Sequence, residues 1–508
     1  MPVSENTDIY MLNPNYDLKV DKNRVVITNR SSDPTINNFI GFIHPVFALI
    51  LSLFDGEKTF PEVLGNIAAI LKKERSAAEK IITPLLENET EYHFDFDDYH
   101  FSFPVNILVK KSKHGGRAAK RYDVESFLIP KKDLDMETWR LHRPLDTLFM
   151  INTRCLTDCV YCYADRGTVM DCKIPLARLK ELIKEAKSIG VRTFDITGGE
   201  LFLYPHWEEL LTELVNSGFY PYISTKCPLT RETLEKLKKI GIKRIQVSID
   251  SVVADEMKVM LKVGGDYCQK MQETLRLLDE HGFDIFTNSQ VTSINQGNIH
   301  LLIDFLLSLR KIKSIKLGPA AFSLYRKEQA YMAYRANIGK IKKIEARIDQ
   351  LKEQYRDNIS INFSGYIEKD KLLCVGEKKR LAFNKRARCS GNFYAFIILP
   401  DGNVTVCEEL YWHPRFIIGD LKKQSIEEVW NSDKALELYN ISKEMIREEG
   451  QCKKCDEFDN CHKHKGVCWK EVLYAYGEEN WDYPDPKCPY APAPFTEYYL
   501  PSIDETRN

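Results

Sequence analysis

The run Cys155-Leu-Thr-Asp-Cys159-Val-Tyr161-Cys162 sets three cysteines apart by three residues and then by two. Thiolates hold iron–sulfur clusters, and close-set cysteine runs are their sequence signature. A cubane 4Fe–4S cluster has four irons, so three protein thiolates leave one iron open to a ligand from outside the chain. Just upstream, Leu145-Asp-Thr-Leu-Phe-Met-Ile-Asn-Thr153 is apolar and β-branched enough for a buried strand. The cysteines therefore sit on the loop leaving a strand, where α/β barrels place their chemistry. Three cysteines at this spacing also suit part of a zinc site, which wants a fourth ligand nearby. The next cysteine, Cys172, lies beyond a polar turn.

With Tyr161 directly before the last cysteine, this loop resembles the signature of the radical S-adenosylmethionine (radical SAM) enzymes. The resemblance implies that Cys155, Cys159 and Cys162 hold the catalytic 4Fe–4S cluster. It also implies that the amino and carboxylate groups of S-adenosylmethionine chelate the open iron, with Tyr161 beside the adenine. Reductive cleavage in that family gives a 5′-deoxyadenosyl radical that abstracts a substrate hydrogen; the protein's share is orientation and exclusion.

A chain of 508 residues is too long for one core and predicts roughly three domains. A net charge of -1 gives no global case for nucleic acid or a membrane surface. No apolar run reaches the roughly 18 residues that span a bilayer, and the opening MPVSENTDIY lacks the basic and apolar regions of a signal peptide. These features predict a cytoplasmic protein without membrane or nucleic-acid partners. In that reducing compartment the 14 cysteines read as metal ligands, not disulfides.

Residues 1–107 carry a pattern of their own. Leu18-Lys-Val20 and Val25-Val-Ile-Thr28 alternate like short strands around Asp21-Lys-Asn. A helix follows over His44 to Phe54, a second is capped by Thr59 with Val63, Ile67 and Ile70 on one stripe, and a third lies near Ala77 to Leu86. Tyr92-His-Phe-Asp-Phe and His100-Phe-Ser-Phe predict a closing hairpin, hence a winged helix–turn–helix. Such modules often bind DNA, but Lys72, Lys73, Arg75 and Lys80 are offset by Glu74, Glu79, Glu87 and Glu89. The run Ile50 to Val63 resembles the peptide-recognition domain fused to peptide-maturing radical enzymes. That implies a leader peptide added as a strand to the sheet edge; a structural cap on the catalytic domain is the alternative. Residues 108–140, with the lysine- and glycine-rich run Lys110 to Arg121, read as a solvated linker.

Over residues 141–328 apolar strands alternate with amphipathic helices. The strands are predicted at Thr147–Asn152, Thr193–Thr197, Pro221–Ser224, Arg244–Ile249, Ile285–Val291 and Ser314–Leu317. The helices are predicted at Leu176–Ile189, Trp207–Ser217, Arg231–Ile240, Tyr267–His281 and Asn298–Leu309, the first four stopped by Gly190, Gly218, Gly241 and Gly282. Six such repeats predict an α/β fold with a parallel sheet, a partial (β/α)6 barrel. Thr197-Gly198-Gly199-Glu200 follows the second strand; the glycines would let backbone approach a ligand, and Glu200 supplies an anion. Its place resembles the family motif that binds the methionyl amino group, although Leu201 stands where the family usually has proline. Ser224-Thr225-Lys226 and Ser248-Ile-Asp250 end the next two strands. By resemblance Ser224, Ser248 and Asp250 belong to the cofactor site, Ser248 as the ribose contact. Asp250 is also readable as an exposed capping residue or a group that orients substrate. Ser289 to Asn295 matches the subfamily's fifth strand loosely, and Cys172, Cys227 and Cys268 read as inert thiols.

Residues 329–372 form a lysine-rich helical bridge, and 373–508 hold a second cysteine set: Cys389, Cys407, Cys452, Cys455, Cys461, Cys468 and Cys488. A zinc ribbon would use four of these and leave three over. The set resembles the SPASM domain, which implies two auxiliary 4Fe–4S clusters and three clusters in all. The pattern assigns Cys389, Cys407 and Cys468 to the first and Cys452, Cys455, Cys461 and Cys488 to the second, although the family spaces Cys461 and Cys468 more closely. Cys374 could complete the first cluster, since the longer loop costs only about 1 kcal/mol of closure entropy; otherwise it is a buried thiol, or the site is open to a substrate cysteine.

These resemblances imply a radical SAM maturase of a ribosomally made peptide, served by an electron donor such as flavodoxin or ferredoxin. The expected product is a cysteine thioether, with an auxiliary cluster taking the leftover electron. Carbon–carbon cross-linking or epimerisation would use the same residues, whereas a sulfatase-activating, formylglycine-forming enzyme would share the clusters but would not need the N-terminal module. A metal-dependent winged-helix regulator is the reading from another class.

Overall fold

The computed structural model describes residues 7–29, 39–96, 99–113, 120–165, 167–325, 328–365, 377–384, 389–462 and 466–495. Cys374 lies outside them. The chain gathers into two units, residues 1–142 and 143–508.

In the first unit β1 (Tyr10–Leu12) precedes an antiparallel sheet of β2 (Tyr16–Val20), β3 (Val25–Asn29) and β4 (Ile40–Ile43), in that order. The tight turn between β2 and β3 places Lys22 at φ 61°. β3 is buried along its whole length, which its unbroken Val-Val-Ile run suits. Helices α1 (Pro45–Ser52), α2 (Phe60–Leu71) and α3 (Arg75–Ile82) follow. Thr59 opens α2 with a capping box: its N–H donates to the Glu62 carboxylate at 2.8 Å. This satisfies an N–H outside the helical ladder while the threonine caps the helix start. The hairpin β5 (Tyr92–Phe96) and β6 (Tyr99–Phe103) packs Phe94, Phe96, Phe101 and Phe103 around Phe47, completing a winged-helix arrangement.

Part of the expected linker is structured. β7 (Leu108–Lys110) pairs antiparallel with β1, and Phe127 is buried in the first unit's core. This short strand runs directly into the lysine-rich stretch from Lys110, whose charge marks the whole segment as linker in sequence. Within the lysine- and glycine-rich run, residues 114–119 lie outside the described residues.

The second unit is an open α/β barrel. β8 (Asp146–Met150), β9 (Thr193–Thr197), β10 (Ser224–Thr225), β11 (Arg244–Ser248), β12 (Asp284–Val291) and β13 (Ile312–Pro319) run parallel, with an Ile196–Ile223 bridge joining β9 to β10. Helices α4 (Leu176–Ser188), α5 (Trp207–Asn216), α6 (Arg231–Ile240), α7 (Ala254–Leu261), α8 (Tyr267–Glu280) and α9 (Ile299–Leu307) lie between them. Their inward leucines, such as Leu182, Leu211, Leu237 and Leu275, are fully buried in one core with Phe149, Val247 and Leu317. Gly241, at φ 101°, ends α6 by donating its N–H to the Leu237 and Lys238 carbonyls.

Three features exceed the predicted pattern. β14 (Ser360–Phe363) extends the sheet beyond β13, inside the stretch read as a helical bridge. At the opposite edge β15 (Ala395–Ile398), from the cysteine-rich tail, adds parallel to β8; β16 (Asn403–Thr405) and β17 (Ile417–Asp420) continue from it antiparallel. Among the described residues no pairing joins β14 to β15, so the barrel is partial. Helix α7 is the third feature, and it bears on the site.

Candidate active site

The cysteine loop leaves β8 at the carboxyl ends of the parallel strands and is anchored from beneath. The N–H groups of Asp158 and Val160 donate to the carbonyls of Leu261 (2.9 Å) and Met260 (2.8 Å), the last residues of α7. A helix end leaves its final carbonyls unpaired, and here the loop supplies their partners. Lys262 also reaches the Asp158 carboxylate at 2.7 Å. Between the cysteines, the Thr157 hydroxyl lies 3.4 Å from Cys155 Sγ and 3.2 Å from Cys159 Sγ.

Cys155, Cys159, Cys162, Tyr161, Gly198, Gly199, Ser224, Ser248 and Asp250 all line one cavity of about 540 Å³. The glycines answer to the neighbouring backbone, not to open space. A Cβ on Gly198 would sit 2.4 Å from the Asn152 carbonyl oxygen, and one on Gly199 would sit 1.9 Å from that of Arg154. The turn after β9 is thus pressed against the start of the cysteine loop, and only glycine fits there.

Glu200 is absent from the cavity lining. It is 2% exposed, and its carboxylate accepts from the Thr225 hydroxyl at 2.9 Å on both oxygens. It also accepts from the Lys226 N–H at 3.0 Å and the Phe202 N–H at 3.2 Å. Burial outweighs these bonds and pushes Glu200 up to about 7. Asn152 makes a reciprocal pair with the Glu200 backbone, donating at 2.9 Å and accepting at 3.0 Å. Sequence reading placed Thr225 and Lys226 at a strand end without giving them a role, and it gave Asn152 none, although strand ends are where such groups belong.

Asp250 is 0% exposed, so it is no exposed cap. Its Oδ2 accepts from Lys226 Nζ at 2.6 Å and from the Tyr161 hydroxyl, and its Oδ1 from the Gln290 N–H at 2.8 Å. Asn295, in the stretch matched only loosely by sequence, holds the Asp250 carbonyl at 2.7 Å. Burial alone would lower Lys226, but the Asp250 carboxylate and nearby thiols raise it, and its ammonium lies 5.0 Å from the centre of the Tyr161 ring. Burial and Asp250 likewise keep the Tyr161 phenol well above its usual range. Gln246 links the two serines, accepting from Ser224 at 2.7 Å and donating to Ser248 at 2.8 Å.

The cavity's other wall comes from the cysteine-rich tail. Glu409 accepts from Lys470 at 2.8 Å and from the Tyr474 hydroxyl; all three line the cavity, together with Tyr411. Cys389, Cys407 and Cys468 form one neighbourhood: burial pushes the Cys407 thiol up to about 12 and Cys468 further, with the charge of Cys389 acting on both. Cys452, Cys455, Cys461 and Cys488 form a second, in which burial and the other thiols raise Cys452 to about 12 and Cys488 to about 11. Among the described residues no three such side chains converge tightly enough for a single metal ion. A cubane asks for less, since each thiolate binds its own iron. Two separate thiol sets plus the loop cysteines therefore fit clusters as a donor set. Cys227 lies near the loop cysteines, since burial, Glu200 and the charge of Cys155 together raise it to about 12, whereas Cys268 is buried against Gln272.

Residues 150–306 match the radical SAM superfamily, and residues 389–456 match the SPASM iron–sulfur cluster-binding domain. The chain carries a radical SAM domain followed by a SPASM domain. These domains imply 4Fe–4S clusters and S-adenosylmethionine as cofactors. The chain is 25% identical over 423 residues to the antilisterial bacteriocin subtilosin biosynthesis protein AlbA of Bacillus subtilis, covering 82% of each. It is 24% identical over 363 residues to the PqqA peptide cyclase of Methylorubrum extorquens, covering 69% of this chain and 86% of that one. In fold it resembles Streptococcus suis SuiB, in a crystal structure bound to S-adenosylmethionine, with a TM-score of 0.61 at 15% identity over 93% of this chain and 98% of that one. No helix among the described residues is long and apolar enough to cross a membrane.

Proposed function

We propose that the chain is a radical SAM maturase that cross-links a ribosomally made peptide, with a cysteine thioether as the product. One observation carries the reading: the radical SAM cysteines and the wall of the SPASM region line the same cavity. The matched relatives point the same way, since one makes a bacteriocin and another cyclises a peptide. When bound at the reduced cluster, S-adenosylmethionine supplies the 5′-deoxyadenosyl radical that abstracts a substrate hydrogen.

The chain's own groups then have defined tasks. Cys155, Cys159 and Cys162 hold the catalytic cluster, and α7 fixes their loop. Tyr161, pinned by Asp250 and Lys226, presents an aromatic face to the adenine. Ser248, oriented by Gln246, meets the ribose, and Gly198 and Gly199 keep the β9 turn close to the cysteine loop. Glu200 acts here from behind the wall, holding Thr225 and the Lys226 backbone in place. The two thiol sets of the tail hold the auxiliary clusters. The winged-helix module binds the leader, and a flavodoxin or ferredoxin in the cytoplasm supplies the electron.

The test is anaerobic co-expression with peptides encoded beside the gene, followed by mass spectrometry. A product lighter by two hydrogens, with one cysteine closed to alkylation, is expected. The same mass loss with every cysteine alkylated would replace the thioether by a carbon–carbon link.

A further inference from the structure

Cys407 is followed by two tight turns: the Leu410 N–H donates to the Cys407 carbonyl at 3.1 Å, and the His413 N–H to the Leu410 carbonyl at 2.9 Å. Tyr411 sits in the second turn at φ 34°, in the left-handed region, where a side chain crowds its own backbone. Its ring is fixed edge-on to Tyr325, 5.2 Å away, and beside Trp412, 5.8 Å away. Trp412 is in turn tied by its indole N–H to Asp401 at 2.8 Å. Tyr411 is 1% exposed, and its phenol oxygen has no hydrogen-bond partner among the described residues. The residue nevertheless lines the cavity that holds Cys155, Cys159 and Cys162.

Either departure alone would be ordinary. Buried hydroxyls are nearly always paired, and strained non-glycine backbone collects at ligand clamps. Both occur at one residue on the wall that faces the radical loop.

We infer that the Tyr411 phenol is kept for the substrate and donates a hydrogen bond to a backbone carbonyl oxygen of the core peptide beside its reacting residue. The inference rests on the peptide-maturase reading. Burial and the nearby Tyr163 and Glu408 raise the phenol's pKa, so it remains a donor. The charge of Glu408 acts on the phenol and disfavours an anionic ligand, and the nearby Lys470 ammonium is already paired with Glu409, which leaves a neutral acceptor. The neighbouring wall residues Phe322, Tyr331 and Tyr474 are aromatic and suited to side-chain packing. The acceptor that any peptide brings is its amide carbonyl.

Tyr411→Phe keeps the ring and removes only the hydroxyl. The probe is the precursor peptide encoded beside the gene, titrated anaerobically into cluster-loaded protein with S-adenosylmethionine. Affinity should fall about three- to tenfold in the variant, the size of one neutral hydrogen bond, at unchanged iron content. Replacing the peptide's amides near the reacting residue by esters, whose carbonyls accept more weakly, should weaken binding to the parent protein and not to the variant. Equal affinity in both proteins, with the ester series affecting them alike, would overturn the inference. If the parent protein neither binds nor modifies the peptide, the maturase reading falls first and this inference with it.

Discussion

The two walls of the cavity are built on opposite terms. On the barrel side every named polar group has partners: Asp250 with Lys226, Tyr161 and Gln290, and Glu200 with Thr225, Lys226 and Phe202. On the tail side Glu409 is paired with Lys470 and Tyr474, but Tyr411 is strained and its phenol has no hydrogen-bond partner among the described residues. The contrast separates a wall that is complete before its ligand arrives from one that a ligand completes. A cofactor that is the same in every turnover favours a preorganised wall, and groups held rigid need no reorganisation at the moment of reaction.

The bluntest way to break this division is to replace Cys155, Cys159 and Cys162 together by alanine. S-Adenosylmethionine cleavage should vanish while about eight irons remain on the two tail clusters. Iron analysis and product chromatography read both, and loss of all iron would show that the thiol sets are not independent.

Next in size is Asp250→Ala. It leaves the Lys226 ammonium largely buried without its carboxylate, which costs about 3–5 kcal/mol. The midpoint of anaerobic urea denaturation should fall accordingly. A change under 1 kcal/mol, the worth of an exposed pair, would mean that the network is looser than its distances indicate.

The titration of Glu200 gives a third test. Its folded pKa of about 7 lies above its ordinary 4.5, so the folded state holds the proton longer than the unfolded chain does. Stability from this group is therefore full below about pH 4.5 and is lost as pH rises towards 7, by roughly 3 kcal/mol. Asp195, raised by burial from 3.8 to about 6, acts in the same direction. Denaturation midpoints of the cluster-free protein from pH 5 to 8 should fall more steeply for the parent than for Glu200→Gln. Parallel curves would remove Glu200 from the account.

The smallest effects have opposite signs. Tyr161→Phe removes a hydroxyl bonded to Asp250 and Lys226 and should destabilise by about 1.5–3 kcal/mol, as bonds to charged groups do. Tyr411→Phe removes a hydroxyl with no hydrogen-bond partner among the described residues and should stabilise the peptide-free protein by on the order of 1 kcal/mol. Thermal unfolding of the two variants side by side checks the difference in sign.

Much of the barrel was legible in sequence because its strands and helices are long and strongly periodic. Five of the six predicted strands form near their expected bounds, the third, expected at Pro221–Ser224, is reduced to Ser224–Thr225 plus a bridge at Ile223, and α6 has its predicted bounds, Arg231–Ile240. The elements that escaped were short: Leu108–Lys110, Ile40–Ile43 and Ser360–Phe363 have three or four residues. Helix α7 was masked by its shortness and by the loop-like Ser251-Val-Val253 that precedes it, yet it anchors the cysteine loop. At the site, motif reading found the residues that line the cavity but not those that hold them. Glu200 was expected to face a ligand, and its partners Thr225 and Asn152 come from other strands, a relation that only the fold reveals. Tyr411 had no sequence signal, because a left-handed tyrosine looks like any other.

The claim at the centre of the account is that a hydrogen passes from the peptide to the cofactor-derived radical. Incubating the reduced, cluster-loaded protein with S-adenosylmethionine and a precursor peptide deuterated at its carbon positions tests it directly. The account predicts 5′-deoxyadenosine carrying deuterium, formed alongside a peptide that has lost one deuteron from carbon. Cross-linked peptide accompanied by 5′-deoxyadenosine without deuterium would contradict it.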